Sequence, residues 1–381
     1  MTLRGSAAIV GVGLAGLGEA KGWSAIEIMA ASAHAALADA GLTVADVDGL
    51  FVTSAFHALP TLSAAEYLGI RPEFFNGSAV GGASFEMHVL SAAMALDAGL
   101  CNVALIAYGS NQRTLGGRLM TTLEPQVNEA VYKPRQPISS YAMVTARHMH
   151  EYGTTREQLA EVAVAARAWA GLNPAAFTRD PLTIDEVLSA RMISDPLTKY
   201  DCCLVTDGGG AIVMVRADRA RDFPRKPVYM LGAAGAHWHR QIAEMPDLTV
   251  TAAAQCGPKA FAMAGLSPSQ IDVLQLYDAF TINPILFLED LGYCAKGEGG
   301  AFVSGGALAP GGRLPVNTNG GGLSCVHPGM YGIFLIIEAV EQLRGEAGAR
   351  QVAGAATALA HGNGGVLSCQ ATCIFGTGDT L

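Results

Sequence analysis

The chain repeats itself at about half its length. Residues 30–56 read AASAHAALADAGLTVADVDGLFVTSAF and residues 254–280 read AQCGPKAFAMAGLSPSQIDVLQLYDAF, aligned without a gap at a constant offset of 224 residues. Ala36, Ala38, Ala40, Gly41, Leu42, Asp48, Leu50, Ala55 and Phe56 recur as Ala260, Ala262, Ala264, Gly265, Leu266, Asp272, Leu274, Ala279 and Phe280. Alanine-rich composition accounts for the matches inside the helices. It does not account for Ala-Gly-Leu, the aspartate and the closing Ala-Phe falling in register. Each copy reads as a helix, a glycine stop, a short loop and an apolar strand. Gly41 and Gly265 suit the left-handed residue that follows a helix. Val47 to Val52 and Ile271 to Leu276 are apolar runs of buried-strand type.

Further strands are expected at Ala7-Ala8-Ile9-Val10-Gly11, Val228-Tyr229-Met230-Leu231-Gly232, Val103 to Tyr108 and Ala211 to Val215. Strands alternating with helices predict an α/β architecture, here as two similar layered halves. The joint is expected at Phe223-Pro224-Arg225-Lys226-Pro227, giving residues 1–224 and 225–381. Residues 111–200 differ: they hold more charge, few strand runs, and Pro134, Pro137, Pro174, Pro181 and Pro196. They read as a helical insertion in the first half. Lys133, Arg147, His148 and His150 fall there and are expected as solvated side chains.

Composition narrows the partners. Half of the 381 residues are hydrophobic, 15% are charged, and the net charge is −9. So apolar a chain is expected to bury surface between subunits, as a homodimer or larger homo-oligomer. The acidic balance argues against nucleic acid. The eight cysteines form no CxxC pair, and no metal site is expected. No basic leader followed by an apolar run opens the chain, and no apolar window reaches membrane-spanning length. A cytoplasmic protein with no membrane association is expected.

Three motifs crowd the C-terminal half: Tyr277-Asp278-Ala279-Phe280, Gly320-Gly321-Gly322-Leu323 leading to His327-Pro328, and His361-Gly362-Asn363-Gly364-Gly365. With Gly81-Gly82-Ala83-Ser84-Phe85 they resemble the thiolase superfamily, in particular its sterol-carrier and lipid-transfer branch and the archaeal thiolases. The resemblance spans essentially the whole chain. It implies the thiolase fold, a loop domain at about 111–200 that covers the site, and acyl-CoA as substrate. Coenzyme A then enters as part of that substrate, and no bound cofactor is expected. It also implies a possible partner, a small protein with an OB-fold and a zinc ribbon.

The family's nucleophilic cysteine stands at the start of a helix, where peptide dipoles favour a thiolate. Here Gly82 holds that position, before a segment whose apolar residues 85, 89, 92, 93 and 96 mark one helix face. Gly82 leaves room for a bulkier substrate, or for backbone amides to meet an oxyanion. Ser84 is a weak substitute nucleophile. His327 matches the histidine that activates the cysteine and holds the thioester oxygen. His361, expected between an apolar strand, Thr357 to Ala360, and a glycine-rich turn, matches the group that removes the α-proton, and near-neutral titration suits a general base. Tyr277 stands where related branches have histidine and classical thiolases have asparagine. A phenol can donate to an oxyanion but is a poor base. Tyr277 resembles the steroid side-chain aldolases of this branch, which also lack the cysteine. Their second tyrosine is matched only in part, by Tyr331. Cys325, two residues before His327, is a displaced-nucleophile candidate if the segment is extended. The Asp207-Gly208-Gly209-Gly210 run is expected as a structural turn.

Without its cysteine this frame can still stabilise a thioester enolate. Retro-aldol cleavage of a β-hydroxyacyl-CoA therefore fits best, with the oxyanion held by His327 with Tyr277 or helix amides, and with His361 as favoured base and Tyr277 as relay or these two roles exchanged. An acyltransferase with a replaced nucleophile and a non-catalytic acyl-CoA-binding subunit are the alternatives.

Overall fold

The computed structural model describes residues 3–117 and 129–381. Part of the expected loop domain, residues 118–128, lies outside the described residues. The first half runs β1 (Ala7–Gly18), α1 (Ala25–Asp39), β2 (Gly49–Val52), α2 (Pro60–Leu68), β3 (Phe74–Asn76), α3 (Ser84–Asp97) and β4 (Val103–Ser110). Then come α4 (Gln112–Gly116), α5 (Ile138–Tyr152), α6 (Arg156–Gly171), α7 (Ile184–Ser189) and the strands β5 (Met192–Ser194) and β6 (Leu197–Thr198). The remainder is β7 (Asp207–Arg216), β8 (Val228–His237), α8 (Ala253–Ala264), β9 (Val273–Leu276), α9 (Ile282–Asp290), α10 (Gly299–Val303), α11 (Gly332–Arg344), β10 (Thr357–Gly364) and β11 (Cys369–Gly376).

The repeat becomes a mirrored strand order. Nine strands run β3-β2-β4-β7-β1-β8-β11-β10-β9. From the centre outward, β1-β7-β4-β2 is answered by β8-β11-β10-β9, and β3 is an extra edge. β2 and β9, the strands of the repeat, are both parallel to their inner neighbours. Among the described residues, the strands of the two halves pair through Ala8 opposite Tyr229 and Ile9 opposite Val228. So short a join lets the sheet fold over: α3 and α11 contact strands from both halves and fill the middle, while α1 and α8 cover the outside. Gly41 and Gly265 have φ of +70° and +65°, the left-handed residues expected after the two helices.

Two expected boundaries shift. β10 runs through His361 to Gly364, each paired with β11, so the glycines are strand and not turn. The Asp207 run likewise opens β7 instead of forming a turn. The buried Asp207 carboxylate accepts from the amides of Ala20, Arg113 and Thr114, which caps α4. His148, expected in solvent, is fully buried. Its Nε2 faces the Glu289 carboxylate at 3.1 Å and its Nδ1 faces Thr154 Oγ1 at 2.8 Å, tying α5 to α9. Lys133, Arg147 and His150 are exposed, as expected.

Candidate active site

Gly82 sits just before α3, and a Cβ built on it would lie 2.2 Å from Tyr277 Cε2 and 2.5 Å from the Tyr277 hydroxyl. Side chains do not approach so closely. The tyrosine ring therefore fills the volume that a nucleophilic side chain at position 82 would need. This corrects the expectation that Gly82 leaves space for substrate: the space is taken by Tyr277.

Tyr277 follows β9 and is held from several sides. Its amide donates to the His361 carbonyl, which extends the strand pairing by one residue. Its hydroxyl accepts from the Tyr331 amide at 3.0 Å, lies 3.2 Å from His327 Nε2 and 3.5 Å from the Gly329 carbonyl. Its ring meets those of His327 and Tyr331 edge-on, at 5.7 and 5.6 Å. Burial pushes the phenol well above its ordinary pKa, with the Tyr331 amide acting against it. Tyr277 is a neutral hydroxyl at pH 7.

His327 leaves a tight π-helical turn, Gly321–Cys325, a feature that often marks functional sites. Buried Asp278 builds this turn by accepting from the Gly322 amide at 2.6 Å and the Leu323 amide at 3.3 Å. Gly321 has φ of +66°, and a Cβ there would strike the Asp278 carboxylate at 2.0 Å, so only glycine fits. Burial raises Asp278 to about 7, against the amides that stabilise its charge. The His327 backbone is clamped: its N–H donates to Thr206 Oγ1 and its carbonyl accepts from Gln112 Nε2. Burial lowers the His327 imidazole to about 4, and Nδ1 is buried with no hydrogen-bond partner among the described residues. The ring is thus neutral at pH 7, with Nε2 toward Tyr277. Tyr331 closes the cluster, its hydroxyl donating to Asn319 Oδ1 at 3.0 Å.

The other expected residues lie apart. His361 is on β10, and its ring leaves the sheet on the face opposite Gly362, which packs on α3. Both ring nitrogens are engaged, Nδ1 with Thr372 Oγ1 at 2.9 Å and Nε2 with Gln370 Oε1 at 3.0 Å, and Phe287 packs edge-on at 4.5 Å. Burial lowers this imidazole to about 3. From Gln370 the chain of bonds continues through Asn363 to the Tyr141 hydroxyl on α5. The His361 backbone is thus bonded to Tyr277 while its ring is turned to Thr372, Gln370 and Phe287, and the network it joins reaches the inserted helices. The Ser84 hydroxyl donates to the Gly81 carbonyl and accepts from the Val80 amide, which closes the loop before α3. Cys325 ends the π turn, so the extended geometry that would aim it with His327 is absent. Its sulfur faces Asn173 and lines a separate cavity of about 220 Å³ beside Glu338 and Arg350, and burial pushes its thiol far up.

The model of the thiolase C-terminal domain-like family matches residues 234–377. An acetyl-CoA acetyltransferase of Methanothermobacter thermautotrophicus is 36% identical over 97% of this chain and 98% of its own length. The chain belongs to the thiolase superfamily. A second thiolase-superfamily relative is the steroid side-chain-cleaving aldolase of Thermomonospora curvata, 36% identical over 90% of this chain and 91% of its own. Among solved structures, the Ltp2-ChsH2(DUF35) aldolase superposes with a TM-score of 0.88 at 34% identity, covering 98% of both chains. The Tyr277 ring and Gly82 share one volume of the site, so that a side chain at 82 and the ring exclude each other. The sequence quoted both positions but did not link them. The signal was a loss of volume at one and a gain at the other. Asp278, in a motif already singled out, was also missed as the residue that shapes the His327 turn.

Proposed function

We propose that this thiolase-superfamily chain is a carbon–carbon lyase that cleaves a β-hydroxyacyl-CoA by a retro-aldol reaction. The observation that carries the reading is the Tyr277 ring standing where the acyl-accepting side chain would be. The relatives named as aldolases support it. Coenzyme A takes part only as a portion of the substrate.

Tyr277 and neutral His327 act as a pair. The substrate's β-hydroxyl gives its proton to the Tyr277 oxygen as the phenol proton passes to His327 Nε2. A phenol whose burial disfavours the phenolate cannot hold the negative charge alone, so the imidazole must share the step. The Cα–Cβ bond breaks, the carbonyl product forms, and its electron pair becomes the thioester enolate. The N-terminal end of α3 beside Gly82 favours negative charge at the enolate oxygen. The proton then returns along the same pair to Cα. Tyr277→Phe and His327→Ala are each expected to lower cleavage at least about 100-fold, the usual scale for a positioned acid or base. His361→Ala is expected to cost less, because the ring sits one sheet face away. A His361→Ala loss of at least about 100-fold, with Tyr277→Phe at wild-type rate, would return the base to His361.

An acyltransferase with a replaced nucleophile is the second reading, favoured by the acetyltransferase relative. Neither Cys325 nor Ser84 offers a free group beside His327, which weighs against it. For partners, the solved relative couples Ltp2 with ChsH2(DUF35), and a small OB-fold subunit is proposed here too. Self-association is proposed from the exposed Leu59, Leu62, Tyr67 and Phe75 on α2, its approach and edge strand β3. Co-purification with the subunit and light scattering of the chain alone test these two points.

A further inference from the structure

One buried acid has no part in the steps above. Glu86, in the first turn of α3, is 1% exposed, and neither carboxylate oxygen has a hydrogen-bond partner among the described residues. Its position joins three segments of the site. A Cβ on Gly332, the residue after Tyr331, would meet the Gly82 carbonyl oxygen at 2.3 Å and the Glu86 oxygens at 2.5 and 2.8 Å. A Cβ on Gly362, the residue after His361, would meet a Glu86 oxygen at 2.2 Å and the Ala83 Cα at 2.9 Å. The carboxyl thus occupies a slot whose walls are the backbones of 82–83, 332 and 362, with glycine where a side chain would close it.

We propose that Glu86 is a positioning residue of this site: its uncharged carboxyl wedges the Gly82, Gly332 and Gly362 backbones in place, and its ionisation loosens them. The inference rests on the reading that Tyr277 and His327 form the reacting pair. The Tyr331 amide that anchors the Tyr277 hydroxyl is one peptide from Gly332, so movement at the wedge is felt at that bond.

The surroundings favour the uncharged form. Burial raises Glu86 to about 8, and no cation counters this. From β11, Cys373 donates to the Glu86 carbonyl and Cys369 lies near, both thiols held up by burial and by the carboxyl itself. From β9, Tyr277 closes over Gly82 as a neutral phenol. From β10 and α11, Gly362 and Gly332 bring backbone to the contact, with the His361 ring on the far face. An ionised carboxylate in such a slot must draw in water or swing out.

The experiment compares wild type with Glu86→Gln, and with Glu86→Met as a second variant of similar length. Hydrogen exchange at 80–86 and 328–334, corrected for intrinsic rates, is followed from pH 6 to 9. Turnover of a β-hydroxyacyl-CoA is followed in parallel. In wild type, protection at both segments is expected to fall at least about threefold as pH rises through about 8, together with kcat and with little change in KM. In both variants this alkaline limb is expected to vanish. Equal pH dependence in wild type and variants overturns the proposal. So does a difference in exchange unaccompanied by one in turnover, which would leave Glu86 a buried acid without a positioning role. If no thioester is cleaved by any form, the lyase reading fails, and exchange alone decides whether Glu86 holds these segments.

Discussion

A glycine and a tyrosine, 195 positions apart in the chain, meet in one volume of the site. Gly82 and Tyr277 are complementary in volume, so neither reverts alone. Gly82→Cys is expected to overpack the site and cost about 1–3 kcal/mol in chemical denaturation. In a Tyr277→Ala background, where the ring is gone, adding Gly82→Cys is expected to cost much less than it does in wild type. Two buried groups give pH predictions of opposite sign. Glu86 keeps its proton to about 8 in the fold, against an ordinary 4.5. Between those values the unfolded chain binds fewer protons, so stability falls as pH rises. The melting temperature of Glu86→Gln should therefore gain on wild type from pH 5 to 8. His327 is neutral in the fold down to about 4, against an ordinary 6.5. Its contribution falls as pH drops through that window, and cleavage should persist at pH 5 and fail through about 4. At this scale the sequence showed Gly82, Tyr277 and His327 as positions of interest. It could not show that the His361 ring faces away, because strand parity depends on where β10 ends.

Elements place these residues. The π turn exists because Asp278 accepts two of its amides, and Asp278→Asn, which exchanges one acceptor oxygen for a donor, should shift the His327 ring. A kcat loss of about tenfold or more is expected, with the melting temperature lowered; unchanged kcat would separate the turn from the chemistry. The α5–α9 contact is a second joint. His148→Ala removes one partner of the buried Glu289 carboxylate, which keeps Lys296 and the Gly299 amide, and should cost about 1–3 kcal/mol, measured by urea unfolding. Most strands were legible as apolar runs between glycines. The ends were not: hydrogen bonding to β11 carries β10 through Gly362 and Gly364, residues that read as a turn by composition. His148 was misread because its partner Glu289 lies 141 residues away.

At the scale of the molecule, duplication explains both the mirrored sheet and the site's location. The helix start at Gly82 comes from the first half, and Tyr277, Asp278 and His327 come from the second. The repeat, the α/β alternation and the inserted helices were readable from periodicity. The two-residue join between β1 and β8, which brings the halves face to face over α3 and α11, was not, since it leaves no local pattern. The central claim is that a phenol replaces the nucleophile, so that no acyl group ever rests on the protein. Intact-protein mass spectrometry during incubation with a panel of β-hydroxyacyl-CoAs, alone and with the proposed OB-fold subunit, tests it most directly. The expected result is release of an aldehyde or ketone and a shortened acyl-CoA with no mass gain on the chain, and loss of release in Tyr277→Phe. An acyl adduct mapped to Cys325 or Ser84, with Tyr277→Phe as active as wild type, would contradict it.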